Sequence, residues 1–384
     1  MVRKSMKKEA IRVIISGGGT GGHIFPAVSI AGAIKAKYPA SEILFVGAEG
    51  RMEMHRVPAA GYQIIGLPIQ GFDRKNLLKN ISVLFKVLKC QWIARGIIKE
   101  FAPHVAVGVG GYASGPLLKM AGIMGIPTLL QEQNSYAGVT NKLLAKKARR
   151  ICVAYEGMER FFEKDKILLT GNPIRQGLLD CNITHEEAVL SLGLDPKKPT
   201  VLIVGGSLGA RTLNESVLKN WKMMVSSGVQ FIWQTGKTYY PEIKRHLAML
   251  DEKPTMMYVS EFISKMEYAY MAADLVISRA GAGSISEFCA LRKPVILVPS
   301  PNVAEDHQTK NALALVEKQA ALYVKDSEAV KDLLPLAIET VGNEELLKQL
   351  SENIAKMAYV DAADVIADEV YKLAVEYKKA QEGK

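Results

Sequence analysis

Ile11-Arg-Val-Ile-Ile-Ser-Gly-Gly-Gly-Thr-Gly-Gly-His23, continued by Ile24-Phe-Pro-Ala-Val28, reads as a buried strand, a glycine turn and a helix opened by Pro26. Glycines let backbone N–H groups approach a phosphate closely, and a helix N-terminus adds about half a positive charge, so the corner suits an anionic ligand. The alternative reading of the loop is a merely structural tight turn. It contains Gly17-x-Gly19-x-x-Gly22, the dinucleotide fingerprint, but the carboxylate that should follow the second strand has only Glu49 as a candidate, somewhat far down the chain. No Gly-Lys-Ser/Thr closes the loop, which excludes a P-loop. His23 places an ionisable ring at the lip of the corner.

The same order of events occurs twice. Thr200-Val-Leu-Ile-Val-Gly-Gly-Ser-Leu-Gly-Ala210 repeats the strand, glycine loop and helix of the first stretch. Pro103-His-Val-Ala-Val-Gly-Val-Gly-Gly-Tyr-Ala-Ser-Gly-Pro116 is matched by Ala273-Asp-Leu-Val-Ile-Ser-Arg-Ala-Gly-Ala-Gly-Ser284, and each is followed by a helix and a proline-led strand. Strands are expected at 11–15, 43–47, 105–109, 127–131, 201–204, 229–233, 274–278 and 294–299, alternating with helices as in parallel sheets with crossover connections. The fold class is therefore α/β, with two tandem Rossmann-like doubly wound parallel-sheet domains and a shared crevice beyond the strands' carboxyl ends. The joint falls near Thr170-Gly-Asn-Pro-Ile-Arg175, giving domains 1–173 and 174–360. A terminal amphipathic helix over about 361–384, with Val365, Ile366, Val370, Leu373, Ala374 and Tyr377 on one face, is expected to pack back across that joint onto the first domain.

With 384 residues, 48% of them hydrophobic and 23% charged, the chain can bury two ordinary cores. The apolar run after the basic first ten residues stops at Ser16-Gly17, so no signal peptide is expected, and no stretch is long and apolar enough for a spanning helix. Cys90, Cys152, Cys181 and Cys289 are scattered without C-x-x-C spacing, arguing for a reducing compartment and against a zinc site. The net charge of +10 is unevenly divided: residues 1–150 carry 22 Lys+Arg against 7 Asp+Glu, and the remainder 27 against 32. An anionic partner is expected for the first half. Nucleic acid is not expected, because aromatics are 7% and no recognition module is visible.

In the second half, Ser278-Arg-Ala-Gly-Ala-Gly-Ser-Ile-Ser-Glu287 offers glycine amides at a helix start. Glu287 there either accepts hydrogen bonds from a ribose diol or only complements the helix dipole. The loop Pro299–Asn311 gathers Glu305, Asp306, His307, Gln308 and Asn311, a density suited to a polyhydroxylated ligand. No Asp-x-Asp pair is present, so a metal-free site is expected, with helix dipoles and Arg175 neutralising a leaving diphosphate. In the first half, the polar loop Gln131–Asn141 precedes a basic run, Lys142 to Arg150, that reads as a solvated helix face. Over 71–92, read as a helix, Lys75, Lys79, Lys86 and Lys89 lie within about 40° of one line. Leu77, Leu78, Ile81, Leu84, Phe85, Val87, Leu88 and Trp92 fill most of the rest. Such a helix either lies on an anionic membrane or packs on the sheet with its lysines in water.

Ten short motifs, in order, carry a more specific signal. They are Gly18-Gly-Thr-Gly-Gly-His23, Gly110-Gly-Tyr-x-Ser-Gly-Pro116, Glu132-Gln-Asn134, Thr140-Asn-Lys142, Gly171-Asn-Pro-x-Arg175, Gly205-Gly-Ser-x-Gly-Ala210, Glu261-Phe-Ile263, Arg279-x-Gly-Ala282, Ser286-Glu287 and His307-Gln-x-x-Asn-Ala312. From about residue 11 to 365 the chain thereby resembles the MurG family of bacterial peptidoglycan N-acetylglucosaminyltransferases. The resemblance implies a GT-B architecture with a deep inter-domain cleft, an acceptor- and membrane-binding first domain and a donor-binding second. It implies metal- and cofactor-free inverting transfer of N-acetylglucosamine from UDP-N-acetylglucosamine to the C4 hydroxyl of undecaprenyl-diphosphate-linked N-acetylmuramoyl-pentapeptide (lipid I), giving lipid II.

Carried over onto this sequence, Arg175 and Ser207 hold the donor diphosphate, Ile263 the uracil, and Gln308 the sugar. Ala282, Gly283, Ser284, Ile285, Ser286 and Glu287 hold the diphosphate and ribose, while Thr20, Gly21, Gly22 and Asn134 close over the sugar. Gly18, Gly19, Gly111, Tyr112, Ser114 and Asn141 face the acceptor, and Lys75, Lys79, Phe85, Lys86 and Lys89 meet the cytoplasmic face of the inner membrane. Other cell-wall enzymes are expected partners. His23 is the candidate base, since histidine's ordinary pKa lies near working pH; its alternative role is to order the loop. Leu208 stands where the family pattern has Gln, and Gly283 where a larger residue is common. Rival readings are a soluble UDP-N-acetylglucosamine epimerase, a dinucleotide oxidoreductase and a non-catalytic membrane adaptor.

Overall fold

Val13 and Ile15 face one side of a sheet and Ile14 the other, yet all three are fully buried, because helices cover both faces. That double burial is why Val13 to Ile15 is an unbroken apolar run. A computed structural model describes residues 9–69, 79–250 and 256–383. The chain forms two compact units, one running to Arg175 and resuming at Tyr359, the other spanning Gln176–Ala358.

In the first unit the strands are β1 (Arg12–Ser16), β2 (Glu42–Ala48), β3 (Gln63–Leu67), β4 (Val105–Gly108), β5 (Thr128–Glu132), β6 (Arg150–Val153) and β7 (Ile167–Leu169). All pair in parallel, in the order β3-β2-β1-β4-β5-β6-β7. The second unit has β8 (Thr200–Val204), β9 (Gln230–Gln234), β10 (Met257–Ser260), β11 (Leu275–Ser278), β12 (Val295–Leu297) and β13 (Leu322–Tyr323), again parallel, in the order β10-β9-β8-β11-β12-β13. Each sheet reverses its winding beside its first strand, between β1 and β4 and between β8 and β11. The glycine loops that leave those strands are therefore neighbours at the switch point, where doubly wound sheets bind ligands.

The terminal helix Ala362–Glu382 packs along the helix Gly21–Lys37. Ile366, Ala367, Val370, Leu373 and Ala374 complete the core beneath β1, and Tyr371 stacks on Tyr38 with ring centroids 3.9 Å apart. The helix thus belongs to the first unit's core, through an apolar face that includes Ala367.

Two local expectations are corrected, and a third lies partly outside the described residues. Pro26 lies inside the helix Gly21–Lys37, which starts at Gly21 with Thr20 as N-cap; His23 and Ile24 donate their backbone N–H groups to the Thr20 carbonyl, at 3.1 and 3.2 Å. Gly21, Gly22 and His23 are consequently first-turn residues rather than loop. The basic run 142–150 is not one helix face: the helix Val139–Ala145 stops short, and Arg150 opens β6. The Arg150 guanidinium reaches Glu369 on the terminal helix at 3.3 Å and the Asp165 carbonyl at 2.9 Å. Of the segment read as a basic helix, the described part is the helix Lys79–Phe101. Lys75 lies outside the described residues, as do the side chains of Lys79, Phe85 and Lys86.

Candidate active site

Gly17 follows β1 directly, and a Cβ on it would lie 2.6 Å from Val109 beyond β4, so the two loops meet with no room for a side chain. A Cβ on Gly111, which sits at φ +90°, would strike the Gly18 carbonyl. Ser114, at the start of the helix Ser114–Ile123, is fully buried, with its hydroxyl 2.8 Å from both the Ser16 and Gly110 carbonyls. It ties the two loops together from inside. Tyr112, in contrast, is exposed at the rim.

His23 hangs into this junction. Its Nδ1 lies 3.1 Å from the Gly18 carbonyl and 3.4 Å from Thr20 Oγ1. A carbonyl oxygen can only accept, so the Gly18 contact puts a proton on Nδ1 and, in the neutral ring, leaves the lone pair on Nε2. Nε2 lies 2.9 Å from where a Gly110 Cβ would stand, so the ring occupies a notch that only glycine leaves open. This is the tautomer and setting a general base requires.

A second polar cluster lies after β5. The buried Glu132 carboxylate accepts from the Asn134 and Gly138 backbone N–H groups, at 3.1 and 2.9 Å, and from Asn141 Nδ2 at 2.9 Å. Asn141 is itself buried, so it braces the loop from within, as Ser114 does, rather than lining a surface. Gln131, Gln133 and Asn172 form a buried amide network that reaches the Val109 carbonyl. Asn134 is only half-buried and stands at this loop's edge; Arg175 lies over the exposed Phe25 ring, 5.9 Å from its centroid. Lys142 covers the rings of Tyr136 and Phe161, so the first lysine of the basic run is held by aromatics.

In the second unit the loop after β8 docks on the loop after β9. Ser207 and Leu208 carbonyls accept from the Lys237 and Thr238 N–H groups, and a Cβ on Gly236 would overlap the Gly209 backbone. Gln234 links this loop to the uracil candidate: its Nε2 donates to the Gly206 carbonyl at 3.1 Å, and its Oε1 accepts from the Ile263 N–H at 2.9 Å. The helix Ala282–Ala290 begins after Gly281, with Gly283 and Ser284 in its first turn and Ser286 bonded back to the Ala282 carbonyl at 3.0 Å. Glu287 is partly exposed; its Oε2 accepts from the buried Tyr270 hydroxyl at 3.0 Å, and the Tyr270 ring stands edge-on to Phe288. Ile285 is buried beneath. Gln308 Oε1 accepts from the Ser300 N–H at 2.8 Å, just after Glu305 and Asp306, which both hold positive φ. Such strained pairs cluster at functional loops.

Two residues that sequence reading missed are Tyr270 and Glu53. A tyrosine inside an apolar helix carries no signal. Glu53 is a fully buried acid whose carboxylate accepts from the Gly19 N–H at 2.9 Å and the Ala48 N–H at 3.0 Å. Gly19's amide, expected to face a diphosphate, is therefore already hydrogen-bonded within the protein. Glu49, the dinucleotide candidate, is exposed beyond β2. Among the described residues no group of three His, Cys, Asp or Glu side chains could hold a metal ion.

Residues 13–153 match the glycosyltransferase family 28 N-terminal domain, and residues 200–366 match its C-terminal domain. The chain is 71% identical over 372 residues to a UDP-N-acetylglucosamine–N-acetylmuramyl-(pentapeptide) pyrophosphoryl-undecaprenol N-acetylglucosamine transferase of Phocaeicola vulgatus, covering 97% of this chain and 99% of that one. It is 66% identical, over 97% of this chain and 98% of the relative, to the protein of the same name in Bacteroides fragilis. The crystal structure of Acinetobacter baumannii MurG superposes with a TM-score of 0.74 at 27% identity, covering 94% and 99% of the two chains. Full-length identity at this level, on a duplicated parallel-sheet fold with glycine corners at both switch points, makes the chain a member of the MurG family within glycosyltransferase family 28.

Proposed function

We propose that this protein transfers N-acetylglucosamine from UDP-N-acetylglucosamine to the C4 hydroxyl of lipid I, with inversion at the anomeric carbon. The observation that carries the reading is the His23 anchor: a ring whose Nδ1–H is held by the Gly18 carbonyl and whose Nε2 sits at the Gly110 notch. In the reaction the acceptor oxygen bonds to the anomeric carbon as its proton passes to Nε2, and the bond to the diphosphate breaks with the electron pair leaving on UDP. The N-terminus of the helix Ala282–Ala290 and Arg175 offset the charge that develops on the diphosphate. Glu287, steadied by Tyr270, takes the ribose diol; Ile263 takes the uracil, Ser207 a phosphate oxygen and Gln308 the sugar. Thr20, Gly21, Gly22 and Asn134 complete the sugar contacts. Gly18 and Tyr112 face the acceptor, whereas Ser114 and Asn141 serve it only by bracing the loops.

Peripheral attachment to the cytoplasmic face of the membrane belongs to the same proposal. Among the described residues no helix is long and apolar enough to cross a membrane. Leu88 and Trp92 are 56% and 77% exposed on the helix Lys79–Phe101, which also carries the exposed Lys89, and Leu143 is 78% exposed on the helix Val139–Ala145, just before the exposed Lys146 and Lys147 in the chain. Exposed apolar side chains among lysines fit an anionic lipid surface.

The test is transfer of radiolabel from UDP-N-acetylglucosamine to a short-chain lipid I analogue in EDTA. Transfer that survives the chelator supports a metal-free transferase. Absence of transfer by protein that still binds the donor overturns the reading in favour of an epimerase or an adaptor.

A further inference from the structure

Glu53 is fully buried at the start of a short helix, Glu53–Ala59, yet both its oxygens point at the first glycine corner. Oε2 accepts from Gly19 N–H and Oε1 from Ala48 N–H, which joins the glycine loop after β1 to the end of β2. Two glycines form its berth. A Cβ on Gly18 would collide with the carboxylate, and one on Gly47 would lie 2.6 Å from Glu53 Cγ. Gly18 therefore lies between two contacts: the Glu53 carboxylate packs against its α-carbon, and its carbonyl receives His23 Nδ1. An anion hydrogen-bonded to backbone amides is a strong, directional clamp, and here it ties the glycine loop to the end of β2 from the buried side.

We propose that Glu53 is a positioning residue for His23: its carboxylate, bonded to the Gly19 amide and packed against Gly18, keeps the Gly18 carbonyl where it fixes the tautomer and direction of the base. The proposal rests on the reading of His23 as the base. A 1 Å displacement of a reacting group can lower a rate on the order of 100-fold. Glu53→Gln keeps the shape but turns one amide-to-carboxylate bond into an N–H facing an N–H. Glu53→Asp keeps the charge on a side chain one methylene shorter.

The experiment is a double-mutant cycle with His23→Ala, read by radiolabel transfer, together with UDP-N-acetylglucosamine binding by calorimetry. Long-range 1H–15N NMR of histidine-labelled protein reports the His23 tautomer. Expected are a fall in kcat of on the order of 100-fold in Glu53→Gln and a smaller fall in Glu53→Asp. Donor affinity should not change, the mutant's His23 signal should leave the pure Nδ1–H form, and Glu53→Gln should have no further effect in the His23→Ala background. Unchanged kcat, an unchanged His23 spectrum, or losses that multiply across the two sites overturn the proposal while leaving the base intact. Full activity in His23→Ala overturns both.

Discussion

The two glycine corners share one topology and differ in what holds them. In the first unit the Gly19 amide is bonded to a buried carboxylate, Glu53, and the corner presents an imidazole. In the second, the loop after β8 rests backbone to backbone on Gly236–Thr238 and is linked through Gln234 to Ile263. Its carboxylate, Glu287, sits one loop over, is partly exposed and accepts from the Tyr270 hydroxyl. On the proposed reading, one corner of the duplicated fold is clamped from inside to aim a base and the other is left open to take a ligand.

The sharpest break between the corners is His23→Ala, expected to lower kcat by about 1,000-fold while donor affinity holds, as measured by transfer kinetics beside calorimetry. An equal loss of donor affinity would erase the division of labour. Glu287→Ala is the mirror case: donor Kd should rise about 30-fold, and Tyr270→Phe about 5-fold. Both shifts should vanish when the probe is 2′,3′-dideoxy-UDP, which lacks the diol. Next, Leu88→Ser/Trp92→Ser should weaken binding to anionic liposomes about 10-fold without changing donor binding; unchanged flotation would remove lipid contact from the first unit.

The smallest effect concerns Lys293 in the second unit. Burial pushes its pKa down to about 8, with Asp274 opposing the shift, and its Nζ donates to the Ala273 carbonyl at 2.8 Å. Because the folded value lies below the ordinary 10.5, the unfolded chain holds the proton more readily between those values. The penalty of the buried ammonium is present below pH 8 and is relieved as pH rises toward 10.5. Urea titration should show wild-type stability gaining on Lys293→Met over that window, and parallel curves would refute the buried charge.

Much of this was legible along the chain because central parallel strands are buried on both faces and must be continuously apolar there, as in Val13 to Ile15 and Val201 to Val204. Edge strands were not. β13 is two half-buried residues and β10 is half-buried throughout, so neither makes an apolar run. β6 was hidden because Arg149 and Arg150 extend a basic run, and only the terminal helix's Glu369 explains an arginine at a strand start. Pro26 misled because proline usually marks a helix's first turn, whereas here Thr20 caps a helix that already contains it.

By itself the sequence determined the two winding repeats, the paired glycine corners and the family, since these rest on local pattern and on motifs in a fixed order. Only the tertiary structure decided which polar groups hold which. Glu53 is an ordinary acid in the sequence, and it becomes a clamp because Gly18 and Gly47, on separate strand ends, close around it. Ser114 and Asn141 look like ligand contacts in the sequence but are interior braces in the fold, because their hydrogen-bond partners lie on neighbouring strand ends and loops. Local pattern places residues on strands and loops; hydrogen bonds between loops that converge at a switch point depend on where the strands bring them.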